Sequence, residues 1–156
     1  MSAWHIDPET LRDHSDDPEA LAVEVETADR ADRVWMLRRL GLLDEARTEG
    51  IALLGMANDR FRPLLLLADV YRWLDCYDIA AQLQREALTL SAGTRREAVA
   101  RQHIGKRLFD EGRYSEAASE FELALSLRKE AEASADLIES SRLARSRAVE
   151  LSQTRG

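Results

Sequence analysis

Residues 98–131 constrain the fold more tightly than any other stretch of the chain. Ile104, Gly105 and Leu108 fall at helical spacing, Gly112-Arg113-Tyr114 reads as a turn, and Ala117, Phe121, Ala124 and Leu125 carry a second helical pattern. Two amphipathic helices joined by a glycine-containing turn make an antiparallel pair. The same pattern returns upstream. Ala46 and Ala80 occupy equivalent positions 34 residues apart, and Ala117 follows Ala80 by 37, a three-residue loop insertion. A repeat of that period predicts stacked helix pairs, each burying against its neighbour a face it cannot bury alone.

The order Ile104-Gly105-x-x-Leu108, then Gly112-x-Tyr114-x-Glu116-Ala117-x-x-x-Phe121-x-x-Ala124, resembles the tetratricopeptide repeat. Arg101 stands where that family's pattern has Trp, and Lys129 where it has Pro. The resemblance implies an all-α fold, a right-handed α-solenoid of antiparallel helix pairs. It divides the chain into an acidic N-terminal arm (1–26), three pairs (27–60, 61–94 and 98–131) and a C-terminal capping helix and tail (132–156). GC-rich bacterial coding fits the use of twenty Arg against two Lys.

In chain order, residues 1–16 have no sustained period. Asp17-Pro18-Glu19 reads as a helix start, with Asp as N-cap and Pro at the first helical position. That helix runs through Val25, and Thr27 and Asp29 are both suited to cap the next one. The first pair is expected as a helix at Arg30–Leu40, a turn at Gly41-Leu42-Leu43 and a return helix at Asp44–Ala57. Its signature is degenerate: Arg33, Val34 and Gly50 replace the pattern's Leu, Gly and Phe. In the second pair, Pro63 suits the first turn of a helix carrying Leu64, Leu67, Ala68 and Tyr71. Asp75-Cys76-Tyr77 is its turn, and Gly93 stops the return helix. Thr94 and Glu97 form a capping box before the third pair. Leu137, Ser141, Ala144, Ala148 and Leu151 draw a narrow stripe on a final helix. No Gly or Pro lies between Ser115 and Gln153, so the third pair's second helix has no sequence signal separating it from this cap.

Composition narrows the function classes. The net charge of −7 resides in residues 1–33, which hold ten acids and three bases, while the remainder balances. No apolar run reaches the roughly 20 residues of a membrane span, the N-terminus lacks the features of a signal peptide, and a single Cys76 needs no oxidising compartment. A cytoplasmic protein is expected. His5, His14 and His103 share no ligand spacing, no C-x-x-C or H-E-x-x-H occurs, and the seven Gly are isolated. No catalytic residue, metal or cofactor is expected, and the chain is read as non-enzymatic.

The informative constellation is the face that family resemblance assigns to a concave groove. It comprises Ala31, Trp35, Arg38 and Arg39 in the first pair; Arg62, Leu65, Asp69, Arg72 and Trp73 in the second; and Gln102, Lys106 and Phe109 in the third. Independently of the family, Trp35–Arg38–Arg39 and Asp69–Arg72–Trp73 repeat an i, i+3, i+4 spacing, so each trio shares a helix face, and the trios lie 34 residues apart. Arg and Trp dominate binding energies at interfaces, and Arg pairs bidentately with carboxylates. The expectation is a protein–protein interaction module that takes a short acidic or C-terminal peptide. The competing reading packs the tryptophans into the core and pairs the arginines with Asp69, Asp75 or Asp110. Ala31 and Trp35 stand where chaperone-binding family members carry Lys and Asn, so a chaperone-tail receptor is not implied.

The acidic arm, with Trp4 and Ile6, has two readings: a solubilising tail with a capping helix, or a pseudo-ligand on the basic groove of its own chain or a neighbour's. Two further functions compete with peptide binding. One is homodimeric self-assembly through the 137–151 stripe. The other is nucleic-acid association through Arg142, Arg145 and Arg147, which the acidic total and the flanking Glu139 and Glu150 oppose.

Overall fold

The computed structural model describes residues 3–154, so residues 1–2 of the arm and 155–156 of the tail lie outside the described residues. The described chain is mostly helical, with eight helices, but it opens with an element that no periodicity announced. Strands β1 (Trp4–Ile6) and β2 (Asp13–Ser15) pair antiparallel, with Trp4 opposite Ser15 and Ile6 opposite Asp13. Residues 1–16, which show no sustained period in sequence, thus contain a hairpin. Three-residue strands are too short to display an alternation, and a lone hairpin is marginal unless it packs on something. Here β2 lies against the second helix.

Helix ends follow the punctuation of the sequence. Asp17 accepts from the Ala20 amide at 3.0 Å and starts α1 (Pro18–Glu24). Asp29 accepts from the Asp32 amide at 2.9 Å and starts α2 (Arg30–Arg39), so α1 does not run on into it. Then come α3 (Leu43–Met56), α4 (Phe61–Trp73), α5 (Tyr77–Ser91), α6 (Glu97–Asp110), α7 (Tyr114–Glu130) and α8 (Ala135–Thr154). The Thr94 box takes a different form. The Thr94 hydroxyl accepts from the Arg96 amide, the Glu97 carboxylate accepts from the Gly93 amide, and α6 begins at Glu97 without a side-chain cap. Between α7 and α8 the helix does break, at Glu132, whose φ is +51°.

The repeat is visible in the turns. Gly41, Asp75 and Gly112, spaced by 34 and 37 residues, adopt φ of +77°, +60° and +78°. Each donates its amide to a carbonyl three residues back (Arg38, Arg72, Phe109), all at 3.0 Å. The next residue donates to one five back (Leu37, Tyr71, Leu108) at 2.9–3.0 Å. This is a left-handed C-terminal cap, used at the end of α2, α4 and α6 and once more outside the period at Glu132, whose amide meets the Lys129 carbonyl at 3.1 Å while that of Ala133 meets Arg128 at 2.9 Å. Asp75 and Glu132 hold a conformation that Gly adopts freely.

Two compact units divide the chain: residues 1–7 with 12–83, and residues 8–11 with 84–156, the division falling inside α5. In the first, α2, α3 and α4 pack on one another around Val34, Leu37, Ala46, Leu66 and Val70. In the second, α6 packs on α7 and α7 on α8 around Ile104, Leu108, Phe121, Ala144 and Ala148. Leu11, held at φ +58°, belongs to this second core.

Close packing explains why only the third pair reads well. At Gly105 an added Cβ would stand 2.5 Å from the fully buried Phe121 ring. The first pair reverses the sizes at the equivalent positions, with buried Val34 on the first helix and Gly50 on the second, where a Cβ would lie 3.6 Å from Val34 Cγ1. Large against small is kept in volume, not in order.

Candidate partner-binding site

The first unit gathers the chain's three tryptophans and a run of arginines on one surface. Arg38 and Arg39 lie in the last turn of α2, where cations are favoured by the helix dipole. The hairpin delivers Asp13 between them. Arg38 Nη1 and Nη2 donate to the two Asp13 oxygens at 2.8 and 3.0 Å, a bidentate pair, and Arg39 Nε donates to Oδ2 at 2.7 Å. All three side chains are at least nine-tenths buried.

Aromatic faces supply the rest of the cationic environment. The Arg39 guanidinium lies 3.6 Å from the Trp35 ring centroid and 4.5 Å from that of Trp4, and Trp4 meets Trp35 edge-on at 6.1 Å. Arg38 and Arg12 stand 4.6 and 5.1 Å from the Trp73 centroid. Such contacts contribute about 0.5–2 kcal/mol each, more as they are desolvated. Burial lowers the Arg39 pKa, the hydrogen bond and charge of Asp13 raise it, and neighbouring Arg38 lowers it. Three donors here find no acceptor: Arg38 Nε, Arg39 Nη2 and Trp73 Nε1 are enclosed and unpaired. The site has more donors than its own chain satisfies.

The predicted residues divide accordingly. Trp35, Arg38, Arg39 and Trp73 come together. Asp69 and Arg72 are buried and ion-paired to each other at 3.4 Å, so they do not present themselves to a partner. Arg62 is exposed and held by Asp32 at 2.8 Å. Gln102, Lys106 and Phe109 belong to the second unit. Lys106 is half-buried there. Gln102 is buried and accepts from the Ser141 hydroxyl, and Phe109 packs edge-on to Tyr114 inside the core. Asp69, Arg72, Gln102 and Phe109 are interior and so are not surface contacts, whereas Arg38 and Arg39 are covered by the hairpin's own Asp13. The sequence reading missed Asp13 and Arg12. Their only signal was the Trp4- and acid-containing arm in which they lie.

The competing surfaces are differently occupied. Ser141, Ala144 and Ala148 of the α8 stripe are buried within their own unit. Arg142 pairs with Glu139, Arg145 with Glu122 and Arg147 with Glu150. Cys76 is half-buried, its Sγ 3.6 Å from the Leu74 carbonyl. Among the described residues no group of three or more His, Cys, Asp or Glu is placed to hold a metal, and no helix is long and apolar enough to cross a membrane. No protein-family model matches the chain, and no curated protein matches it.

Proposed function

We propose that the chain is a non-enzymatic protein–protein interaction module, a right-handed solenoid of tetratricopeptide-like pairs whose Arg/Trp face takes an extended acidic segment of a partner protein. One observation carries this reading. The chain's own hairpin already sets a carboxylate between Arg38 and Arg39 and a ring beside Arg39, yet leaves three buried donors unsatisfied. A surface that accepts Asp13 and Trp4 in this way accepts the same chemistry from another chain, and an incoming acidic segment offers the acceptors that Arg38 Nε, Arg39 Nη2 and Trp73 Nε1 lack. The hairpin is then a pseudo-ligand. The 34- and 37-residue spacing of the turns at Gly41, Asp75 and Gly112 supports the solenoid, and the bacterial, cytoplasmic setting rests on the Arg bias and the single Cys76.

The test uses the full chain with Asp13→Asn, which weakens the hairpin's hold, and a synthetic peptide of residues 3–16 added in trans. The peptide is expected to bind the variant more tightly than wild type, and to lose that binding when Arg39→Gln is added. Partners captured from a lysate are expected to follow the same order. Binding that ignores both Asp13 and Arg39 removes the site from consideration.

A further inference from the structure

Five arginine side chains are largely buried among the described residues, and four have a carboxylate. Arg38 and Arg39 share Asp13, Arg72 has Asp69, and Arg107 has Glu111 at 2.6 Å. The fifth, Arg128 in the last turn of α7, is 6% exposed and has none. Its Nη1 donates to the Leu137 carbonyl and to the Ser141 hydroxyl, both at 2.9 Å. Nε and Nη2 have no protein partner and are not enclosed, and Arg128 lines a cavity. Burial lowers the Arg128 pKa, and no neighbouring acid restores it. A guanidinium withdrawn from water without a counter-ion is costly, and in folded proteins such charges are paired.

The cavity lies wholly within the second unit, between the start of α6, the end of α7 and the elbow into α8, and holds about 620 Å³. That is within the range of small-ligand sites. Ala98, Val99, Leu127 and Leu137 give it an apolar wall. Arg95 and Arg128 are balanced by Glu130 and Glu132, so its charged side chains sum to zero.

We infer that this cavity binds a carboxylate monoanion carried on a short aliphatic group, with its two oxygens on Nε and Nη2 of Arg128. The free edge of a guanidinium matches a planar carboxylate in bidentate fashion. A phosphate dianion is disfavoured, because Glu130 and Glu132 cancel the field it would need. The aliphatic group lies on the Val99 and Leu127 wall. The carboxylate has two sources, a free small acid or the C-terminus of a peptide, and both present the same group. This site is separate in residues and in unit from the Arg/Trp face, so either stands or fails alone.

The experiment titrates the full chain with N-acetylleucine and with its carboxamide, following backbone amide resonances. The acid is expected to saturate, with shifts concentrated at residues 93–99 and 127–137, and the carboxamide to bind at least tenfold more weakly. Arg128→Gln is expected to abolish binding at unchanged helicity. Val99→Phe, which narrows the cavity at its apolar wall and leaves the Arg128 side chain itself unchanged, is expected to weaken binding and decides the matter if Arg128→Gln does not fold. Equal binding of acid and carboxamide, shifts elsewhere, or no saturable shift overturns the proposal. A peptide ending in Ala-Ala-Leu with a free carboxylate completes the set. If it binds tenfold tighter than N-acetylleucine, the source is a chain terminus; the reverse identifies a free acid. Both results uphold the carboxylate site.

Discussion

Asp13→Asn is the most direct test of what holds the hairpin down. The replacement keeps the shape and removes the charge that two interior guanidinium groups share, with Arg38 and Arg39 side chains 3% and 1% exposed. An Asn amide also turns an NH2 group toward one of two cations that need an acceptor. Removing one partner of a buried ion pair destabilises by about 3–5 kcal/mol, because the other charge stays buried. The hairpin can release and let water reach Arg38 and Arg39, which limits the loss to the lower end, about 3 kcal/mol. With a urea slope of about 2 kcal/mol/M, the midpoint falls by about 1.5 M. The assay is built into the chain: Trp4, Trp35 and Trp73 are its three tryptophans and all contact this site, so their emission reports this surface. Urea unfolding followed by tryptophan emission is expected to move earlier, with far-UV ellipticity recorded alongside to register the helices. A loss below about 1 kcal/mol with unchanged emission would place Asp13 among ordinary surface pairs and refute the reasoning.

Gly105→Ala is expected to lower stability by about 1–3 kcal/mol despite the better helix propensity of Ala, because the new methyl meets the buried Phe121 ring; the melting temperature reads it. Gly50→Ala is expected to cost less, since its nearest contact, at 2.9 Å, is Leu67 Cδ1 at the end of a flexible side chain. The Gly93 amide, and then Arg101, hold the Glu97 carboxyl below its ordinary value of 4.5. A lowered folded-state pKa means stability present above 4.5 and lost as pH falls through the depressed value. The stability difference between wild type and Glu97→Gln should therefore be present at neutral pH and close in acid; a difference that does not change with pH removes the assignment.

The helices were legible because their ends carry local chemistry. Asp17 with Pro18, Asp29, Gly41 and Gly112 act within a few residues of themselves, and the structure places helix ends beside each. Asp75 shows the same logic through the repeat, since period alone marked its turn. The first pair was hard to read because Val34 and Gly50 exchange the sizes found at Gly105 and Phe121, and a pattern of letters does not record volume. The break at Glu132 had no signal, being a non-glycine residue in a left-handed conformation. The site was half legible. Spacing put Trp35 with Arg38 and Arg39 on one face, but the carboxylate that meets them is 25 residues upstream of Arg38, in a strand too short to have a period. Nothing local distinguishes a buried Arg72 from an exposed Arg62; their surroundings do.

The two strands bury one side chain between them, and it is a carboxylate. Most docked segments are fixed by oil, so their release exposes apolar area and registers as heat capacity and as a denaturant slope. Release of these strands exposes ions and the faces of rings instead. It should therefore carry a modest urea slope, from the rings, together with a salt dependence that arises as the charges it exposes meet counter-ions. The opening of this surface is then set by the ionic composition around the protein, and a cell could vary it without approaching the temperature or denaturing stress that threatens the helices.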